Sequence, residues 1–225
     1  MTENAFKRWE SYYRSGSRSW PSETLVRLLR GSYIPGLDRN HAGKSVLDVG
    51  FGDGGNLVFL GSLGLALHGV EVDQGICDLV TERLTEAGLA ADLRVGTNDR
   101  LPFEDDRFDL LVSWNVVHYV DNEAALRRNL AEYARVLKPG GRLVLASLGP
   151  DDTLPRTATL VGPHRYRIEL EGDLRKGQVF YYFDHERYVE HYLSERFTGI
   201  RVGRQRDDLF THVVDQFIAT AVKAG

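Results

Sequence analysis

Residues 46–55, Val-Leu-Asp-Val-Gly-Phe-Gly-Asp-Gly-Gly, place a carboxylate, Asp48, two positions before three glycines spaced by two, Gly50, Gly52 and Gly54. Glycine adopts backbone conformations, and tolerates a close ligand, that a Cβ would block. The pattern fits a strand ending in a tight turn against a charged, nucleoside-bearing molecule. Asp48 bears on the sign of that charge, because a carboxylate at a strand end repels a pyrophosphate and favours a cation. A second carboxylate, Glu71, follows 23 residues later (71 − 48). That separation is expected when one crossover helix brings the next strand alongside, where the acid can accept hydrogen bonds from both ribose hydroxyls. Gly50, Gly52 and Gly55 also satisfy G-x-G-x-x-G, the dinucleotide spacing in which a helix N-terminus holds a pyrophosphate. Asp48 and Asp53 crowd the place those phosphates would occupy.

The flanking sequence supplies elements to position these groups. Residues 44–49 are a short apolar run entering the glycine turn, and 56–63 read as a helix with Leu57 and Leu60 on one side. A second apolar run, 66–72, leads to a helix near 76–87 that stops at Gly88. Residues 93–95 and 108–114 read as the third and fourth strands. The segment 123–137 is an amphipathic helix, with Leu126, Leu130, Ala134 and Leu137 in helical register. Lys138-Pro-Gly-Gly141 ends it with turn chemistry, and 142–148 is a fifth strand. This alternation predicts a parallel sheet with helices on both faces and ligands beyond the carboxyl ends of its strands. Farther on, 184–197 reads as a helix, with strands at 200–205 and 214–222.

The stretch 46–55 resembles the first motif of the class I (Rossmann-like) S-adenosylmethionine-dependent methyltransferases. Gly96-Thr-Asn-Asp-Arg-Leu-Pro-Phe103 is similar to that family's Gly-Asp-Ala…Leu-Pro-Phe segment, and 108–115 resembles its fourth strand. Val136-Leu-Lys-Pro-Gly-Gly-Arg-Leu-Val144 is close to its later turn and fifth strand, so the resemblance covers about 44–148 plus the final hairpin. S-adenosylmethionine has no phosphate and carries a cationic sulfonium and a cationic amino group, which suits the acidic flanks. The resemblance implies an α/β fold of small-molecule type. Its sheet would be doubly wound, mostly parallel and seven-stranded, with an antiparallel last strand, helices on both faces and a β-hairpin inserted after strand five. One methyltransferase domain would span 1–225, with a helical lid at 1–40 and a cofactor-binding core at 44–148. The inserted hairpin would occupy 150–183, and the closing helix and strand pair 184–225.

The same resemblance implies roles for individual residues. Asp48, Gly50 and Gly52 would form the cofactor loop, Glu71 would hold the ribose, and Val72 and Ile76 would flank the adenine. The backbone near Ser113 and Trp114 would hold the methionine amino group. Where the family has an Asp for the adenine amino group, this sequence has Thr97 followed by Asn98, with Asp99 behind them. The Asn98 amide can both donate and accept. Small-molecule members often carry an N-terminal aromatic lid, and Tyr12 and Trp20 are the residues expected to cover the cofactor. Phe6, Trp9 and Tyr13 lie on one helical stripe, and Phe6 and Trp9 are expected to pack on the core.

Methyl transfer needs a nucleophile held in line with the methyl group. It needs a base only where the acceptor must lose a proton. His118, just after strand four, is the expected base. Asn115 and Tyr119 are expected to line the acceptor pocket. Strands at 165–170 and 178–183, linked through 171–177, would form the inserted hairpin, with Arg165 and Tyr182 gripping the acceptor. The same hairpin could instead join two copies as a homodimer. The expected activity is methylation of a small polar molecule, at oxygen in preference to nitrogen. The other readings are a small-molecule N-methyltransferase, a dinucleotide-dependent oxidoreductase and a non-catalytic S-adenosylmethionine-binding protein.

Composition narrows the partners. A net charge of −4 gives no general attraction for nucleic acid, and no Asn-Pro-Pro-Tyr segment marks a nucleobase methylase. The single cysteine, Cys77, suits a reducing cytoplasm. No apolar run approaches the ~18 residues of a membrane span. The other histidines show no metal-ligand spacing, so no metal is expected.

Overall fold

The computed structural model describes residues 3–16 and 20–225, with the side chains of 3–6, Phe6 among them, outside that description. Two helices, α1 (Glu3–Ser15) and α2 (Glu23–Arg30), come first. The alternating core follows as β1 (Ser45–Val49), α3 (Gly55–Ser62), β2 (Ala66–Glu71), α4 (Gln74–Glu86) and β3 (Ala91–Val95). It continues through β4 (Phe108–Trp114), α5 (Glu123–Val136) and β5 (Leu137–Leu148). The chain then adds α6 (Thr153–Thr157), β6 (Thr159–Gly162), β7 (Arg165–Arg167) and β8 (Val179–Tyr181). It closes with α7 (Glu186–Ser194), β9 (Phe197–Leu209) and β10 (His212–Lys223).

The main sheet has seven strands in the order β3-β2-β1-β4-β5-β10-β9. The pairs from β3 through β5 are parallel, and β10 runs antiparallel to both β5 and β9. Strand order therefore reverses between β1 and β4, the point at which ligands bind in open α/β sheets. Register brings Val49 beside Val70 and Ser113, so the carboxyl ends of β1, β2 and β4 open on one edge.

Period-two alternation splits each central strand between two cores. Leu47, Leu111 and Leu143 join a cluster with α5 and α7, through Leu126, Leu130 and Leu193. Val46, Val112 and Val144 join the opposite cluster with α2, α3 and α4, through Leu29, Leu57 and Val80. A fully buried side chain of this size contributes about 1.5–3 kcal/mol through removal of apolar surface from water. Helix starts are locally specified: Asp73 caps α4 by accepting from Gly75 N at 2.8 Å, and Asn122 caps α5 by accepting from Ala125 N at 2.9 Å.

The insertion is larger than the two-stranded hairpin expected from sequence. A third strand joins it, giving an antiparallel sheet in the order β6-β7-β8. Strands β7 and β8 are shorter than expected because the chain turns early: Gly177 N donates to Ile168 O at 2.7 Å, and Asp173 folds the link onto Arg175. Leu148, Leu154, Ile168, Phe180 and Tyr182 form a small core beneath it. Among the described residues no helix is long and apolar enough to cross a membrane. Also among them, no three His, Cys, Asp or Glu side chains gather in a metal-holding group.

Candidate functional site

A cavity of about 510 Å³ opens at the carboxyl edge where the strand order reverses. Its floor is the β1–α3 turn and the ends of β2 and β4. Gly50 lines it in the left-handed region at φ +68°, and a Cβ there would meet Val116 Cγ1 at 2.5 Å. Gly52 has φ +56°, and its Cβ would crowd the Tyr13 hydroxyl at 3.0 Å. The loop therefore needs glycine for its conformation and for the close approach of two neighbouring segments.

The acidic pair is buried at this floor. Glu71 lines the cavity, with Oε1 accepting from Gly52 N at 3.1 Å and Oε2 accepting from Val72 N at 2.8 Å. An ionised carboxylate has about four acceptor positions, so capacity remains for ribose hydroxyls. Burial raises its pKa, and the two backbone donors oppose that rise. Asp48 lies beneath the cavity-lining Val49 and Gly50, only 1% exposed, and neither carboxylate oxygen has a hydrogen-bond partner among the described residues. Burial, with the nearby Glu71 charge, pushes its pKa up to about 8.

Most of the expected cofactor residues meet here. Val72, Thr97, Asn98 and Trp114 line the cavity. Asn98 is already held, its Nδ2 donating to Val116 O at 3.3 Å and its Oδ1 accepting from Tyr133 Oη at 3.3 Å. Thr97 Oγ1 donates to Asp99 at 2.8 Å. Four expected residues of the core do not line it, Asp48 and Gly52 among them. Ile76 is fully buried in the core under α4, and the Ser113 side chain is turned to the Tyr133 hydroxyl at 3.1 Å.

The aromatics of α1 that reach the cavity are not those expected. Tyr12 is 54% exposed and Trp20 90% exposed, and neither lines the cavity. Trp9 and Tyr13 line it instead, their rings stacked with centroids 5.6 Å apart. The helical stripe read as core-packing thus covers both the core and the cavity. Arg83 of α4 fixes α1 in place, donating to Tyr13 O at 2.8 Å and Asp53 O at 3.0 Å. One cation ties the lid helix to the glycine loop.

On the acceptor side, Asn115 and Tyr119 line the cavity as expected. Asn115 has φ +60°, and its Oδ1 accepts from Gln216 Nε2 at 2.8 Å, which ties the end of β4 to β10. Tyr119 is partly buried near Arg175, and desolvation raises its pKa while the Arg175 charge opposes that rise. Arg165 and Tyr182 do not line the cavity; Tyr182 packs into the small core below the insertion. The insertion reaches the cavity through Arg175 and Gln178, two residues of the link and its edge. Arg128 and Asn129 of α5 complete that side. The missed Asn129 carried a signal, because an amide three residues after Leu126 falls on the apolar stripe of the helix.

His118 is placed behind the cavity wall. It is 1% exposed and does not line the cavity, and its Nδ1 lies 3.4 Å from Ser147 Oγ. Burial, reinforced by the Arg175 charge, depresses its pKa to about 3, so the ring stays neutral near physiological pH. The placement expected of a base facing the methyl group is not the one found, because the β4–α5 loop turns His118 inward and Tyr119 outward.

A doubly wound sheet, a glycine turn with buried carboxylates and a cavity at the switch point define an α/β protein of Rossmann-like fold. Residues 47–145 match the family described as "Methyltransferase domain". That segment, the alternating core from β1 to β5, is therefore similar to methyltransferase domains, and the fold around it is one that S-adenosylmethionine-dependent methyltransferases share. The methyltransferase GfsG of Streptomyces halstedii is 34% identical over 126 residues, covering 53% of this chain and 43% of that one. The chain thus spans less than half the length of that curated relative. A S-adenosylmethionine-dependent methyltransferase of Methanosarcina mazei shares the fold, with a TM-score of 0.71, 20% identity and coverage of 91% and 99%. The N-methyltransferase NodS of Bradyrhizobium japonicum, solved with S-adenosylhomocysteine, has a TM-score of 0.67, 17% identity and coverage of 99% and 100%.

Proposed function

We propose that the protein methylates a small polar molecule at oxygen, using S-adenosylmethionine. The observation that carries this reading is the single cavity that joins Glu71 and the Gly50 turn to Asn115, Tyr119 and the aromatic lid. Cofactor and acceptor sides are continuous there, as in-line transfer requires. The residues present fit the cofactor. Asp48 is a buried carboxylate without a partner among the described residues, and a cationic ligand nearby would favour its ionised form. Glu71 would hold the ribose hydroxyls, Asn98 and Thr97 the adenine edge, Val72 the adenine face, and the Trp114 backbone the amino group.

When bound, the cofactor supplies a methyl group on a positively charged sulfur. An acceptor hydroxyl receiving that methyl group would have to give up its proton to a base. Asp99 and Asp121 are the carboxylates that line the cavity besides Glu71, and they are the side chains open to that proton. His118 holds the β4–α5 loop by its burial and takes no part in proton transfer. A neutral buried histidine of depressed pKa contributes stability above its ordinary pKa of 6.5, and that stability is lost as pH falls toward 3. His118→Ala is therefore expected to leave the pH profile of turnover unchanged, while lowering stability at neutral pH and flattening its acid dependence. A pH-rate profile that loses a limb in the variant would restore His118 as the base.

Calorimetry with S-adenosylmethionine, S-adenosylhomocysteine and NAD in parallel tests the cofactor. Binding of both sulfur nucleosides without NAD supports the reading, and failure of both ends it. Cofactor binding with no turnover on any acceptor would instead identify a sensor.

A further inference from the structure

We infer that the acceptor is an uncharged, polyhydroxylated small molecule of the sugar class, held by the side-chain amides of Asn129 and Gln178; this rests on the methyl-transfer reading above. Both residues line the cavity, and they are 2% and 8% exposed. In each, the amide nitrogen is buried with no hydrogen-bond partner among the described residues. The two come from separate parts of the fold. Asn129 sits on the apolar face of α5 near Leu126 and Tyr133. Gln178 sits where the insertion link re-enters β8, and its backbone is fixed on both sides. Its N–H donates to Arg175 O at 2.9 Å, and its carbonyl accepts from Ile168 N at 3.0 Å. A buried amide without a partner is destabilising, and native folds leave few. Two such side chains in the lining of one cavity mark groups whose partners arrive with a ligand.

Charge decides what kind of ligand. Arg175 and Arg128 are the cations lining the cavity, and each faces a carboxylate. Arg175 is engaged twice by Asp173, at 2.9 and 2.7 Å, and Arg128 lies 3.7 Å from Asp99. An anionic acceptor would meet Arg175 already held by Asp173, and the carboxylates Glu71, Asp99 and Asp121 in the same lining would oppose it. A cationic acceptor would leave the amide nitrogens unpaired. Hydroxyl groups both donate and accept, so they satisfy an amide in either orientation about its terminal bond. The stacked Trp9 and Tyr13 supply an apolar ring face of the kind on which a saturated ring can rest.

The test uses the full chain with S-adenosylhomocysteine bound and saturation-transfer NMR with three kinds of probe. These are methyl pyranosides of glucose, mannose, galactose and rhamnose; 4-hydroxybenzoate; and tyramine. At least one pyranoside is expected to bind, and Asn129→Leu and Gln178→Met should each weaken it about tenfold. Each change replaces an unpaired buried amide by an apolar side chain of similar size. Melting temperature should therefore hold or rise, with nucleoside affinity within about twofold of wild type. Should either variant fail to fold, Asn129→Ala and Gln178→Ala provide the same comparison. Binding of the benzoate or the amine alone, of no probe, or of a pyranoside with unchanged affinity in the variants would overturn the assignment. Calorimetry on the same samples separates this from failure of the parent reading, in which S-adenosylhomocysteine itself does not bind.

Discussion

Glu71→Ala is expected to weaken S-adenosylhomocysteine binding about a hundredfold, because two hydrogen bonds to a charged acceptor disappear at about 1.5–3 kcal/mol each. The same carboxylate also holds the glycine turn through Gly52 N and Val72 N, so the variant loses preorganisation as well as contacts. Glu71→Gln keeps one acceptor oxygen and should fall between, near tenfold, by roughly half that energy. Calorimetry on the three proteins measures the series. A Glu71→Ala protein that binds within about threefold of wild type would remove the ribose role, since the predicted loss exceeds that several times over.

The second large effect concerns Asp48. Its folded pKa of about 8 stands well above its ordinary value of 3.8. Between those values the folded state holds a proton that the unfolded state has released, so stability declines as pH rises toward 8. Asp48→Asn removes this dependence and should be more stable than wild type at pH above 8, by chemical denaturation. Cofactor binding should move the other way. A cation favours the ionised carboxylate, so its binding releases a proton, and wild-type affinity for S-adenosylmethionine should rise with pH until Asp48 is ionised. The Asn variant should bind about ten- to a hundredfold more weakly and without that pH dependence, as expected when a buried opposite charge beneath the site is lost. Titrations in buffers of different ionisation enthalpy count the released proton. A wild-type affinity flat across this range, or an Asn variant of equal affinity, would contradict the idea.

These residues were legible before any coordinates because their signals are local. Asp48 lies near the end of β1 with Gly50 and Gly52 directly after it, and Glu71 ends β2 after a single crossover. Spacing along the chain nearly fixes spacing in space for such a unit. The same locality identified Asn115 and Tyr119, which leave the end of β4. Tyr12 and Trp20 were misplaced for the opposite reason. A helical stripe shows which residues share a face, and it does not show whether that face meets a core, a cavity or both. The rotation of α1 is set by Arg83, 70 residues from Tyr13, and no local pattern reports it. Arg165 and Tyr182 failed similarly, because the turn around Asp173 and Arg175 carries the link, not the strands, to the cavity.

The order of strands and helices, the glycine turn, the acidic tips and the resemblance to methyltransferase domains follow from the amino-acid sequence alone, because each depends on neighbours within one supersecondary unit. Tertiary structure alone decided which aromatics line the cavity, that His118 is buried behind its wall, and that Asn129 and Gln178 both line it with unpaired nitrogens. Burial and hydrogen-bond satisfaction are properties of the packed whole, and they exist only once distant segments have closed on one another.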